Sequence, residues 1–207
     1  WYEFKEGVKF VLHHRLFLTL ILLSWISMFF GTSYVQIMPL FADMLQSGER
    51  GFGLLISATG IGSIIGNLFI SHYQESRKLG IMMLSSAAIA PFCLIGFSLV
   101  AWIFAGKAGV FWMACCFVIL ASALSSVFLV SSMTVLQVKV PDDFRGRVMG
   151  IHSITFSMIS LGGLVAGVIA AKFSAPVAVV IGALVVISSV TLVVLKFSEI
   201  IKLDLNK

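Results

Sequence analysis

The residues of this chain that can bind or react fall into two sets. The first is neutral. Ser24, Ser27, Gly31 and Tyr34 recur at helical spacing, and Gln36 continues the polar character of that run. Gly53, Ser57, Gly60, Asn67 and Ser71 form a second row, with Ile64 completing it. Ser122, Ser126 and Gln137 share a third face, and His152 and Thr155 a fourth. Hydroxyls and amides on one helical face can hydrogen-bond to a neighbouring helix or line a wet path for a solute. Both readings stand for the serines. For Asn67, Gln137 and His152, each near one end of an apolar run, vestibule lining and interfacial placement both fit.

The second set is charged. Between Val138 and Gly150 the sequence reads VKVPDDFRGRVMG, and Asp142, Asp143, Arg145 and Arg147 crowd into six residues. Pro141 suits the start of a helix, and the two aspartates suit the positive end of its dipole. A solvated loop explains these charges; so does a conformational role for Pro141, Asp142, Asp143, Arg145, Gly146, Arg147 and Gly150. On the second reading Arg145 and Arg147 hold one state by contacts to helix ends or acidic groups.

Other chemistries lack their residues. There is no nucleophile–base pair and no phosphate loop, and His13, His14, His72 and His152 are scattered, so an enzyme is not expected. Cys93, Cys115 and Cys116 lie in apolar runs, odd in number and without metal-site spacing; they read as small packing residues. No metal or cofactor is expected. All nine acidic residues fall in loops or tails. A proton-driven pump normally carries an intramembrane carboxylate; if this protein is proton-driven, that carboxylate lies outside these residues.

The elements that position these groups are membrane spans. Of 207 residues, 59% are hydrophobic and 11% charged, against about 25% charged in soluble domains; the mean hydropathy is +1.09. Charges divide the chain into six apolar runs, about 16–41, 52–72, 79–104, 110–137, 148–171 and 176–195, each long enough to cross a bilayer as a helix. The first run is too long for a signal peptide and has no cleavage site. Pro39 and Pro91 lie within spans and predict kinks. The side holding the N-terminus carries eleven Lys and Arg, the other only Arg50, Lys107 and Lys172. That bias makes the first side the cytoplasm, with both termini there. Trp102 and Trp112 suit the opposite interface. The basic residues form no stripe for nucleic acid. Residues 1–15 read as an amphipathic linker with Trp1, Phe4, Val8, Val11 and Leu12 on one face, residues 16–197 as the membrane domain, and 198–207 as a tail.

The six spans divide into two triplets. Spans one and four are rich in hydroxyls, and spans three and six are mostly apolar. Spans two and five are rich in glycine, at Gly60, Gly62, Gly66 and at Gly162, Gly163, Gly167. The triplets start on opposite sides, as in an inverted repeat. Gly62–Gly66 and Gly163–Gly167 are GxxxG pairs that suit close helix packing, and Ser160, Gly163, Gly167 and Ala171 predict a smooth face.

Two segments carry a family resemblance. PLFADMLQSGERGFGLLISATGIGSIIGNLF resembles the seventh-to-eighth helix region of bacterial major facilitator superfamily exporters. LQVKVPDDFRGRVMGI resembles their connection between helices ten and eleven, near the enterobactin-exporter-like branch. Pro39, Phe41, Ala42, Gly51, Gly53, Leu54, Gly60, Gly62, Gln137, Pro141, Arg145, Gly146, Arg147, Val148, Met149 and Gly150 carry the match. The turn HYQESRKLG keeps Arg77, Lys78 and Gly80 of the family pattern but offers only Glu75 as acid, so no strong gating salt bridge is expected there.

The resemblance implies an all-α polytopic protein, the C-terminal six-helix half of a twelve-helix transporter, whose N-terminal half would precede Trp1. Helices one, two, four and five of such a half border a central cavity; three and six are peripheral. The expected function is alternating-access efflux of a small amphiphilic molecule or siderophore across the inner membrane, with the other half, the bilayer and the substrate as partners. The alternatives are a non-transporting six-helix scaffold or assembly partner, a self-contained dimer and, third, a membrane-embedded enzyme.

Overall fold

The computed structural model describes residues 2–73, 79–107 and 109–196. A short helix, α1 (Tyr2–His13), precedes six spans. The first span is composite: α2 (Arg15–Ile26), a π-helical segment (Ser27–Thr32), a 3-10 segment (Ser33–Ile37) and α3 (Met38–Met44). The others are single helices: α4 (Gly48–Tyr73), α5 (Leu79–Ile103), α6 (Val110–Lys139), α7 (Asp142–Lys172) and α8 (Ala175–Lys196). Leu68, Leu164 and Leu195 are among many large apolar side chains turned outward, where only lipid or another protein removes them from water. The charged turn 74–78, with Glu75, Arg77 and Lys78, lies outside the described residues, as do Trp1 and the tail from 197 onward.

The break in the first span follows from Pro39. A proline has no N–H for the carbonyl four residues back. That carbonyl belongs to Val35, and it accepts instead from the Met38 N–H, closing a tighter turn. The π-helical turn just before it widens the chain where the 3-10 turn narrows it. The expected kink at Pro39 is thus a change of helix type. Pro91 lies inside α5, which continues through it.

Two apolar clusters fill opposite halves of the bundle. One joins Leu20, Ile70, Met83, Val135, Val148 and Val190 near the N-terminal side; the other joins Phe41, Leu55, Phe97, Ala114, Ala166 and Val179 near the far side. The helix contacts respect an inverted exchange of the triplets. α4 packs on α6 as α7 packs on the first span, α5 packs on α6 as α8 packs on the π-helical segment, and α5 packs on α8.

Glycine allows two of these contacts. A Cβ at Gly62 or Gly66 would overlap the carbonyls of Ile119 and Ala123 on α6, and one at Gly162 would overlap the Phe29 carbonyl. Gly163 meets the stem of Gln36. A Cβ at Gly60 or Gly167 would meet nothing within 4 Å, so neither packs on another helix among the described residues. The smooth face of α7 is Gly162, Gly163 and Ala166, whereas Ser160 and Ala171 are exposed. One helical step separates the two faces, and only the carbonyls of the opposing span distinguish them.

The charged segment is also more helical than expected. Only Val140 and Pro141 lie between α6 and α7, and Arg145, Gly146, Arg147 and Gly150 are on α7 itself. Pro141 caps the helix and both aspartates occupy its first turn, where carboxylates oppose the unpaired N–H groups.

Candidate functional site

Between the two apolar clusters the bundle holds a cavity of about 220 Å³. Spans one, two, four and five all contribute to its wall. Thr32 and Tyr34 come from the broken part of the first span, Thr59 and Ser63 from α4, Ser122, Ser125 and Ser126 from α6. Met28, Leu129, Phe156 and Ile159 supply apolar surface between them. Neutral hydroxyls set in an apolar wall can orient a polar group of a ligand while its apolar body stays dry.

Each element puts its hydroxyls there by simple spacing. Thr59 and Ser63 are one turn apart on α4, and Ser122, Ser125 and Ser126 span one turn of α6. In a helix buried hydroxyls usually bond back to their own backbone, and several do. Thr59 Oγ1 donates to the Ile56 carbonyl at 2.6 Å, Ser63 Oγ to Thr59 at 3.0 Å, and Ser122 Oγ to Val118 at 2.9 Å. Their oxygens still have lone pairs to accept a donor from a solute. The 3-10 segment turns Tyr34 inward until it is 5% exposed, its ring 6.3 Å from that of Phe97.

Of the residues singled out from the sequence, this cavity brings together Tyr34, Ser122 and Ser126. Thr32, Thr59, Ser63 and Ser125 line it too; their spacing was visible, but only the packing shows which face turns inward. Ser27 borders a smaller void with Met28, Gly31 and Pro91. Ser24 is fully buried, its Oγ 3.2 Å from Ser132 Oγ, a bond between spans one and four. His152 and Thr155 are buried on α7. Ser57, Asn67 and Gln137 are exposed; Ser57 donates to the Gly53 carbonyl at 2.8 Å. Gln36 is exposed as well and packs on Gly163.

A second feature lies at the surface on the N-terminal side. Arg147 Nη1 donates to Glu6 Oε2 at 2.6 Å, joining α7 to α1. Phe10 stacks on Phe144, with ring centroids 4.3 Å apart and planes 9° apart, and the Arg147 guanidinium lies 5.5 Å from the Phe144 ring centre. Gly7 makes the approach possible: a Cβ there would come 2.9 Å from Arg147 Cβ. The packed face of α1 is therefore Gly7 and Val11, with Phe10 partly covered, while Phe4 and Leu12 are exposed. The face expected from hydrophobicity alone was rotated because it gave the glycine no role. Arg145 takes a different partner, Asp142 in its own first turn at 2.6 Å.

Among the described residues no group of three His, Cys, Asp or Glu is placed to hold a metal ion. No curated protein and no solved structure matches the chain. The family of transmembrane secretion effectors matches it over residues 2–206. With that match running nearly end to end, the chain belongs to the transmembrane secretion effector family, transporters of the major facilitator type, and the family supports a transport role.

Proposed function

We propose that the chain is the C-terminal six-helix half of an alternating-access exporter for a small amphiphilic molecule, a siderophore being one such substrate. The observation that carries this reading is the cavity between spans one, two, four and five, lined by hydroxyls and apolar groups together. Its wall has no charged side chain, which suits a solute with an apolar body and neutral polar groups.

This chain offers a second half a surface to dock on. Gly53, Ser57, Gly60, Asn67 and Ser71 on α4 are all exposed, and so are Gly146, Gly150, Ser153, Ser157 and Ser160 on α7. Large apolar residues dominate the outward faces elsewhere. Small residues let a partner helix approach closely and slide. Docked there, a second half would close the cavity, and rocking of the halves would open it to each side in turn. The excess of Lys and Arg at the ends of spans one, four and six supports a cytoplasmic N-terminal side in an inner membrane.

The test is reconstitution of the chain with a complementary N-terminal half in vesicles, followed by energised efflux of amphiphilic dyes and siderophores. Efflux that depends on both halves supports the reading. A stable complex without flux for any of them would favour a six-helix scaffold.

A further inference from the structure

Five buried polar atoms on spans one, four and five have no hydrogen-bond partner among the described residues: Trp25 Nε1, Ser27 Oγ, Ser131 Oγ, His152 Nε2 and Thr155 Oγ1. His152 is 2% exposed and Thr155 fully buried. The two are three residues apart, so they share one face of α7. Two turns beyond Thr155 on that face, Gly162 meets the Phe29 carbonyl, so the face looks toward span one. Ser24 and Ser132 bond across spans one and four, beside Trp25 and Ser131 in sequence. Around them Val148, Ile151, Leu20, Leu23, Val135 and Leu136 are buried in one apolar cluster. An apolar side chain in place of His152 would leave nothing unpaired, whereas a buried nitrogen without a partner is costly.

We propose that His152 is a proton- and water-binding site between spans one, four and five, neutral in the arrangement seen and protonated when that site opens to water. The proposal rests on the transporter reading, and it supplies a titratable group to spans whose described carboxylates, Asp43, Glu49, Asp142 and Asp143, are all exposed near helix ends. The charged groups on the elements around His152 all stand at helix ends or in α1. Among the described side chains they are Lys5, Glu6 and Lys9 on α1, Arg15 on α2, Lys139 on α6, Lys196 on α8, and Asp142, Asp143, Arg145, Arg147 and Lys172 on α7 itself. His13, Tyr34, Cys115 and Cys116 are the remaining titratable groups among the described side chains of those elements. Among the described residues no carboxylate stands beside His152 within the bundle to receive a cation. Uptake of one proton from water onto a ring nitrogen therefore disfavours the dry arrangement and favours one that admits water. The orphan hydroxyls of Thr155 and Ser131 are then positioned to bind that water.

The decisive experiment uses the full chain in lipid nanodiscs. His13, His14 and His72 are exposed, and replacing each by Gln leaves His152 as the remaining histidine. Acidification to pH 5 should protonate the ring, read from its nitrogen resonances. Oxidative labelling of Trp25 should rise as they do, and His152→Gln should abolish that rise. A ring that stays neutral down to pH 5, or labelling with the same pH dependence in His152→Gln, would overturn the proposal. The titration needs no variant at His152, so a misfolded His152→Gln still leaves a result. Flux assayed with the partner half is a separate readout. Its absence in the wild type would sink the exporter reading, while the titration still decides proton binding.

Discussion

Arg147 on α7 and Glu6 on α1 meet at 2.6 Å across 141 residues of chain. This ion pair ties the helix that leads into the bundle to the start of a helix that lines the cavity. Both side chains are partly exposed, and such pairs contribute about 0.2–1 kcal/mol. That is too little to hold the fold and enough to bias two arrangements of similar free energy. Glu6→Gln should leave thermal unfolding in detergent nearly unchanged and lower transport by less than about ten-fold. Arg145→Ala combined with Arg147→Ala should lower transport with membrane insertion intact. Exchange of the charges, Glu6→Arg with Arg147→Glu, should restore part of the loss. Unaltered flux in the double alanine variant would remove the conformational role.

The stacked rings of Phe10 and Phe144 hold the same joint by a different force. An aromatic pair adds about 0.5–1.5 kcal/mol beyond its buried area. Phe144→Ala should free α1 without unfolding the spans. Hydrogen exchange followed by mass spectrometry should show faster exchange over residues 4–12 and unchanged protection in α4 to α6.

Gly62 should be sensitive to substitution and Gly167 tolerant of it. Gly62→Val drives a branched side chain into the Ile119 carbonyl and should destabilise the α4–α6 contact by about 1–3 kcal/mol or more. Gly167→Ala enters open space and should stay within about 0.5 kcal/mol of the parent. Thermal unfolding of the two variants side by side gives the comparison; equal loss would mean that α4 and α6 are not packed through glycine.

Ser126→Phe should fill part of the cavity while leaving the helix contacts of α6 in place. Transport of bulky substrates should fall by at least about ten-fold, the scale of a single pocket contact, and a smaller substrate should lose less. The measurement is flux for a graded series of substrates with protein amount held equal. A uniform effect on all sizes would place the solute elsewhere.

Much of the fold was legible because the bilayer imposes it. An apolar run of span length must become a helix, since its backbone groups have no water to bond. So the six runs became the six spans, α1 preceded them, and charge marked the turns. The site was only partly legible. Tyr34, Ser122 and Ser126 line the cavity, but Ser57 and Asn67 point out of the bundle from a row with equally regular spacing. Periodicity shows that residues share a face without showing which way the face turns. Gly60 and Gly62 make the same point, two residues apart and on opposite sides of α4.

The sequence by itself determined the helices, their number and the ends where charge collects, because those depend on local composition and on the solvent a span must meet. It also carried the segments that resemble the exporter family. Tertiary structure alone decided that Arg147 bonds Glu6 while Arg145 bonds its own helix. It also decided that α1 packs through Gly7, and that Thr59 and Ser63 face the same space as Tyr34. Those outcomes depend on which atoms of distant segments come within a few ångströms. No local pattern records that distance, because the packing of carbonyls and glycines between helices sets it.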